Sequence, residues 1–241
     1  MLAMQYFSKR ESLGISMKGA QDWLTVADGA VEAHLRAQLT QLFPLDSIVG
    51  EEAGGQAGRH AWIIDPIDGT ANFARGDRNW CISIGFMADG VPELGVIHAP
   101  ALSETYLAWR GKGATLNGEP IHAAKTISLA RSALEMGWSS RTPLADYIAM
   151  VTKGFEAGAA VKRTGSGAMG MVHVACGRTD AYAELHINAW DVAAAMVIAT
   201  EAGARVNDFF AGNGMVTGNP ILCCAPGVAE VLQGITGIAL G

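Results

Sequence analysis

Apolar residues recur along the chain with two different periods. Val31, Leu35, Leu39 and Leu42 return every three or four positions, which predicts a helix over "DWLTVADGAVEAHLRAQLTQLF" that Pro44 ends. The runs "SIVG" and "AWIID" are short and continuously apolar, as fully buried strands are. "WCISIGFMADGVPELGVIHAP" predicts two strands joined at Asp89-Gly90, a hairpin signal. "ETYLAWRGKGATLNGEPI" predicts further hairpins, with turns at Gly111 to Gly113 and at Asn117-Gly118. The first half of the chain is therefore expected to be α+β with several antiparallel strands.

After about residue 125 the pattern alternates. "SALEMGW", "AVKRT" and "DAYAEL" are strand candidates, and "PLADYIAMVTKGFEAG", "GAMGMVHVACG", "WDVAAAMVIATEAGA" and "PGVAEVLQGI" are helix candidates. Alternation of this kind predicts an α/β second half. The expected division is an α+β subdomain over 1–125, carrying "DPIDGT", and an α/β subdomain over 126–241, carrying "WDVAA". No stretch of disordered composition separates them, so they are expected to pack closely.

Composition narrows the classes. Of 241 residues, 50% are apolar and 17% charged, which suits a folded protein with a sizeable core. A net charge of -6 argues against a partner that is nucleic acid and suits a protein that gathers carboxylates around cations. "MLAMQYFSKRESLG" has no apolar core of signal-peptide length, and "VAAAMVIAT" is too short to span a bilayer, so no membrane role is expected. Cys81, Cys176, Cys223 and Cys224 form no CxxC pair and are expected to be buried thiols in the cytoplasm.

The candidate chemistry starts at "WIIDPIDGTANFARG", where an apolar strand ends in Asp65 and Asp68. Pro66 holds Asp65 extended and lacks an N–H, so a tight turn at the strand end is expected to aim both carboxylates and the Ile67 carbonyl into one space. Such hard oxygen donors suit Mg²⁺ or Ca²⁺. Gly69 lets the backbone approach a ligand, and Thr70 can start a short helix whose free N–H groups suit phosphate. A plain turn with a helix cap explains the same residues when they stand alone. Glu51 and Glu52 in "IVGEEAGG", Asp191 in "INAWDVAAAM", and Thr25 with Asp28 in "LTVADGAVE" each have an ordinary explanation too, as solvated acids or caps. Four acidic sites at the edges of apolar elements are more than separate caps lead one to expect.

Together, "GEEAGG", "WIIDPIDGTANFARG", "GVIHAPALSETYLAWRGKGATLNGEPI" and "DAYAELHINAWDVAAAMVIATEAGA" resemble the inositol monophosphatase family of Mg²⁺-dependent phosphatases over nearly the whole chain. The resemblance implies a layered αβαβα sandwich, commonly a homodimer, that binds two to three Mg²⁺ ions. It implies that Glu51, Asp65 and the Ile67 carbonyl hold one ion, and that Asp65, Asp68 and Asp191 hold a second. Glu51 would help hold a weaker third. Thr70, assisted by Asp28, would orient the attacking water, with Glu51 also catalytic. The N–H groups of Gly69 and Thr70 would hold phosphate. Gly165, Ser166 and Gly167 would line the alcohol side, and Glu184 would contact substrate hydroxyls. Lys18 and Asp22 match a mobile segment near the third ion. The implied reaction is hydrolysis of inositol monophosphate, a small phosphorylated alcohol, by in-line attack of a metal-activated water. Histidinol phosphate is an alternative substrate, and a regulatory binding protein on the same fold is the rival from another class. His186 stands near Glu184 where the family more often has a small residue, and a surface or loop histidine is its simplest explanation.

"GSGAMG" at Gly165 to Gly170 also matches the GxGxxG dinucleotide fingerprint. The strand candidate before it is short and basic, so this match alone carries little. No HExxH, paired CxxC or P-loop occurs.

Overall fold

A computed structural model describes residues 2–10 and 26–241 in full, and 15–19 and 22–25 through their backbone. Helix α1 (Leu2–Ser8) precedes a hairpin of β1 (Ile15–Gly19) and β2 (Asp22–Thr25), and α2 (Val26–Leu42) follows. Next come β3 (Ser47–Gly50), β4 (His60–Asp68), α3 (Thr70–Arg75), β5 (Cys81–Ala88), β6 (Val91–Ala99), β7 (Glu104–Trp109), β8 (Ala114–Leu116) and β9 (Glu119–Pro120). The remainder alternates as β10 (Ala133–Met136), α4 (Leu144–Glu156), β11 (Ala160–Lys162), α5 (Gly167–Ala175), β12 (Ala181–Ile187) and α6 (Ala189–Glu201). It closes with β13 (Arg205–Val206), α7 (Gly214–Thr217), β14 (Asn219–Cys224) and α8 (Ala229–Thr236).

Among the described residues, β3 to β9 form a seven-stranded sheet in sequence order, and a five-stranded sheet has the order β11-β10-β12-β14-β13. The large sheet is antiparallel except for the β3–β4 pair. Helices α1 and α2 cover its outer face, and α6 covers its inner face. Helix α5 packs on α6 and on β12 of the small sheet, whose far side is covered by α4 and α8. The layers therefore run helix, sheet, helix, sheet, helix, the αβαβα order that the family resemblance implies.

The central layer explains itself from its residues. All nine residues of α5 are buried, and α6 is apolar nearly all round. A helix of that kind belongs between two sheets, not on a surface. Helix α6 lies close to the large sheet because Gly85 and Gly95, register partners on β5 and β6, present no side chain beneath Ala193 and Ala194. The hairpin turns form as expected: Asp89 and Gly90, and likewise Asn117 and Gly118, take positive φ.

Three expectations change. Residues 22–25 pair with 15–19 as a strand, so α2 starts at Val26 and Thr25 lies before the helix. Leu42, at the end of α2, is exposed. Strand β14 has no counterpart among the strand candidates; its Pro220 sits near the strand's start, where a missing N–H is tolerated. The side chains of Lys18, Asp22 and Thr25 lie outside the described residues. Cys81, Cys223 and Cys224 are buried, whereas Cys176 is only partly so, and all four are free.

Gly95→Ala is expected to destabilise the fold by about 1–3 kcal/mol, because its methyl group would meet the Ala194 backbone and lift α6 from the sheet. A urea midpoint equal to that of the unsubstituted protein would contradict this packing.

Candidate metal centre

The two aspartates of β4 reach one space by a β-bulge, not by the tight turn expected from the sequence. Asp65 stands opposite Ser83 and Asp68 opposite Cys81, so three steps on β4 match two on β5. In an uninterrupted strand, residues three apart face opposite sides. The extra residue resets that alternation and turns both carboxylates toward the central helices. Pro66, which has no N–H to contribute to the ladder, fits at the bulge. The Ile67 N–H donates to Asp65 Oδ1 at 2.9 Å and fixes that side chain.

The starts of α5 and α6 close the other side. Ser166 caps α5, accepting from Met169 N–H at 3.2 Å, and its hydroxyl donates to Asp68 Oδ2 at 2.6 Å. The N–H groups of Gly167 and Ala168 donate to Asp68 at 3.3 and 2.7 Å. The GxGxxG-like segment thus presents its helix start to a carboxylate of the protein itself. Asp191, in the first turn of α6, accepts from Asn188 N–H at 3.0 Å, so it is a helix cap as well as a site residue. Asp65, Asp68 and Asp191 each offer an oxygen within 4.8 Å of the others.

Burial raises the pKa of all three carboxyls, and mutual repulsion raises those of Asp65 and Asp191 further. Asp65 and Asp191 are raised well above the ordinary value. In Asp68 the bonds from Ser166, Ala168 and Gly167 oppose the effect of burial. Glu51, in the turn after β3, lies near enough for its charge to push up both Asp65 and Asp191, although it is not one of the three clustered carboxylates. The Thr70 hydroxyl lies 3.2 Å from Asp28 Oδ1 and 3.0 Å from the Ile67 carbonyl, so it can donate to either. Asp28 is fully buried in the first turn of α2.

Gly69 caps α3 with φ +94°, a backbone that favours glycine. A side chain there would press on Asn79, Trp80 and Ser166. Beneath α3, Phe73 packs on Phe7 and Trp80 with ring centroids 5.3 and 4.8 Å away. Asn72 ties α3 to the loop before α5 by donating to the Thr164 carbonyl at 2.7 Å.

A cleft of about 170 Å³ opens beside the carboxylates, lined among others by Asp68, Asp191, Gly165, Ser166, Gly167 and Glu184. It brings together the residues expected on the alcohol side. Glu184 accepts from the Tyr182 hydroxyl at 2.5 Å, and burial pushes its carboxyl up to about 7 against the influence of Arg163 and Arg141. Gly137 leaves the room that this Tyr182–Glu184 pair occupies. His186 lies within β12 and not in a loop, with its Nε2 2.9 Å from the Thr217 carbonyl, and it borders the outer part of the cleft. Sequence reasoning passed over Trp138, Arg141, Arg163 and Tyr182, which also line this region. The only cue was Arg163 in the basic strand just before "GSG".

The donor set fits a hard divalent cation. Its carboxylates are buried or nearly so, and no lysine or arginine pairs with any of the three among the described residues. Oxygen donors of this type and number suit Mg²⁺. Glu51 acts on the same cluster through its charge, and the Ile67 carbonyl accepts from Thr70.

Comparison with known proteins gives a consistent result. The model of the inositol monophosphatase family matches residues 1–235. A protein named Nus factor SuhB, from Xylella fastidiosa, is 37% identical over 214 residues, covering 86% of this chain and 76% of that one. The solved structure of an inositol monophosphatase from Anabaena is 34% identical, with a TM-score of 0.81 over 88% of this chain and 87% of that one. An IMPase from Thermotoga maritima is 29% identical, with a TM-score of 0.87 over 98% of this chain and 91% of that one.

The raised carboxyls predict a pH dependence. A group whose pKa is higher in the folded state adds stability below its unfolded pKa and loses that contribution as pH rises through the folded value. Metal-free protein should therefore lose stability as pH rises from about 4 toward neutrality. A divalent cation should restore it, so the rise in Tm on adding Mg²⁺ should be larger at pH 7.5 than at pH 5. Asp191→Asn should raise the metal-free Tm at pH 7.5 and shrink the Mg²⁺ response. Thermal melts with equal Mg²⁺ responses at both pH values would contradict this account.

Proposed function

The chain belongs to the inositol monophosphatase family, and from that membership we propose that it is a Mg²⁺-dependent phosphomonoesterase acting on inositol monophosphate. The observation that carries the reading is the buried cluster of Asp65, Asp68 and Asp191, which no lysine or arginine among the described residues neutralises. These residues, with Glu51 and the Ile67 carbonyl, would hold two to three ions, Asp65 being shared. Bound there, Mg²⁺ would offset the phosphate's charge, lower the pKa of water and stabilise the departing alkoxide.

The chain's own part is positioning. Thr70 keeps its hydroxyl between Asp28 and the Ile67 carbonyl, leaving its oxygen free to accept from a water molecule. Passing that proton through Thr70 to Asp28 makes the water a better nucleophile. The N–H groups of Gly69 and Thr70, at the start of α3, would orient the phosphate. Water then attacks phosphorus in line, the ester bond breaks, and the alkoxide leaves and takes up a proton. Holding the reacting groups in place carries most of the rate in phosphoryl transfer.

The alcohol lies on the Glu184 side of the cleft. A carboxylate there accepts hydrogen bonds from inositol hydroxyls, and would equally face the ammonium group of histidinol phosphate, which is the alternative substrate. A second reading, a regulatory binding protein on the same fold, takes support from the name Nus factor carried by the Xylella fastidiosa relative. A binding surface alone gives no reason to bury three like charges together.

Phosphate release from inositol 1-phosphate and histidinol phosphate, measured side by side, should require Mg²⁺ and be faster for the first. Asp68→Asn should lower kcat by about 100-fold or more, since a metal's stabilisation of the transition state is worth several kcal/mol. Glu184→Gln should lower the two rates unequally and so alter the choice between the substrates, and an equal loss on both would count against its role. Faster release from histidinol phosphate would replace the substrate. No release from either, by protein that binds Mg²⁺, would favour the regulatory reading.

A further inference from the structure

Asp28 and Glu32 stand one turn apart on the same face of α2. The first reaches Thr70, and the second reaches the turn that carries Glu51. Glu32 is 1% exposed. Its carboxylate accepts from Glu52 N–H at 2.7 Å, from Ala53 N–H at 3.0 Å and from Arg36 Nε at 2.7 Å. Arg36 extends the clamp by donating to the carbonyls of Ile48 and Gly54, on either side of the same turn. Gly50 N–H donates to the Gly54 carbonyl at 3.0 Å, and the Glu51 N–H is directed at the Ile64 carbonyl at 3.3 Å. Gly50 has no side chain because the Glu32 carboxylate fills that space. Every backbone N–H from residue 50 to 53 is thus held in place, two of them by one buried carboxylate.

A carboxylate buried only to cap a surface turn would be costly. Fixing Glu51 beside Asp65 gives the arrangement a purpose. We propose that Glu32, held by Arg36, is a positioning residue for Glu51 and sets the affinity of the site for divalent cations without touching the ion. This rests on the reading above that Glu51 serves the cation.

The test is calorimetric titration of metal-free protein with Mg²⁺, with melting temperature recorded for each variant. Glu32→Gln keeps the shape and one acceptor oxygen but loses the charge that holds Arg36. It should weaken Mg²⁺ binding by about tenfold, the scale seen when groups that orient a ligand are lost. Arg36→Met, at a more exposed position, should act in the same direction and serves where Glu32→Gln fails to fold. The decisive arm is the double variant: with Glu51→Gln already present, Glu32→Gln should weaken binding no further, as for two residues acting through one path. A lower Tm with unchanged Mg²⁺ affinity would overturn the proposal, as would the same loss with and without Glu51. If Glu51→Gln alone leaves Mg²⁺ affinity unchanged while Asp68→Asn abolishes binding, this proposal fails and the phosphatase reading stands. If Asp68→Asn also binds normally, that reading fails as well.

Discussion

The structure depends on the mutual repulsion of three carboxylates held in one buried space. At 4–5 Å and an effective dielectric constant near 20, each like-charged pair costs about 3–4 kcal/mol. Asp68 offsets much of its share through a hydroxyl and two backbone N–H donors. Asp65 and Asp191 each have one backbone donor, and a helix start contributes about 0.3–1 kcal/mol, or about 2 when partly buried. That falls short of the repulsion. Burial first and this repulsion second push both carboxyls up, and the charge must be met by protons or by a cation. On the proposed function a divalent ion would meet it at neutral pH and would give a phosphate dianion a place to bind.

The fold is arranged to deliver that cluster. Helices α5 and α6 are apolar enough to be enclosed between two sheets, so their starts emerge together at one end of the central layer. The glycine pair under α6 sets how close Asp191 comes to β4. Helix α2, on the opposite face of the large sheet, contributes Asp28 at the start and the Glu32–Arg36 clamp one turn later. The site is therefore held from both sides of the large sheet, and the bulge in β4 is where the two sides meet.

Much of this was legible in the sequence. The periods of "GAMGMVHVACG" and "WDVAAAMVIATEAGA" placed the central helices, and the Asp-Gly and Asn-Gly turns placed the hairpins, because those signals are local. The bulge was not legible. Asp-Pro-Ile-Asp suits a turn equally well, and only the register against β5 shows the extra residue. Nor could local pattern bring Glu32 to Glu52, Tyr182 to Glu184, or Arg163 to the cleft, since each contact depends on packing between elements. Residues 22–25 were read as helix because their apolar character continues into α2, and strand pairing with 15–19 overrides it. The carboxylates stood out from plain caps only as a set, and Asp191 proves to be a cap and a member of the set at once.

The most direct measurement is the anomalous scattering of crystals grown with Mn²⁺ in place of Mg²⁺. The account predicts a peak among the carboxylates of Asp65, Asp68 and Asp191, lost in Asp68→Asn. Well-ordered carboxylates with no peak between them at saturating Mn²⁺, or a peak bound elsewhere, would contradict it.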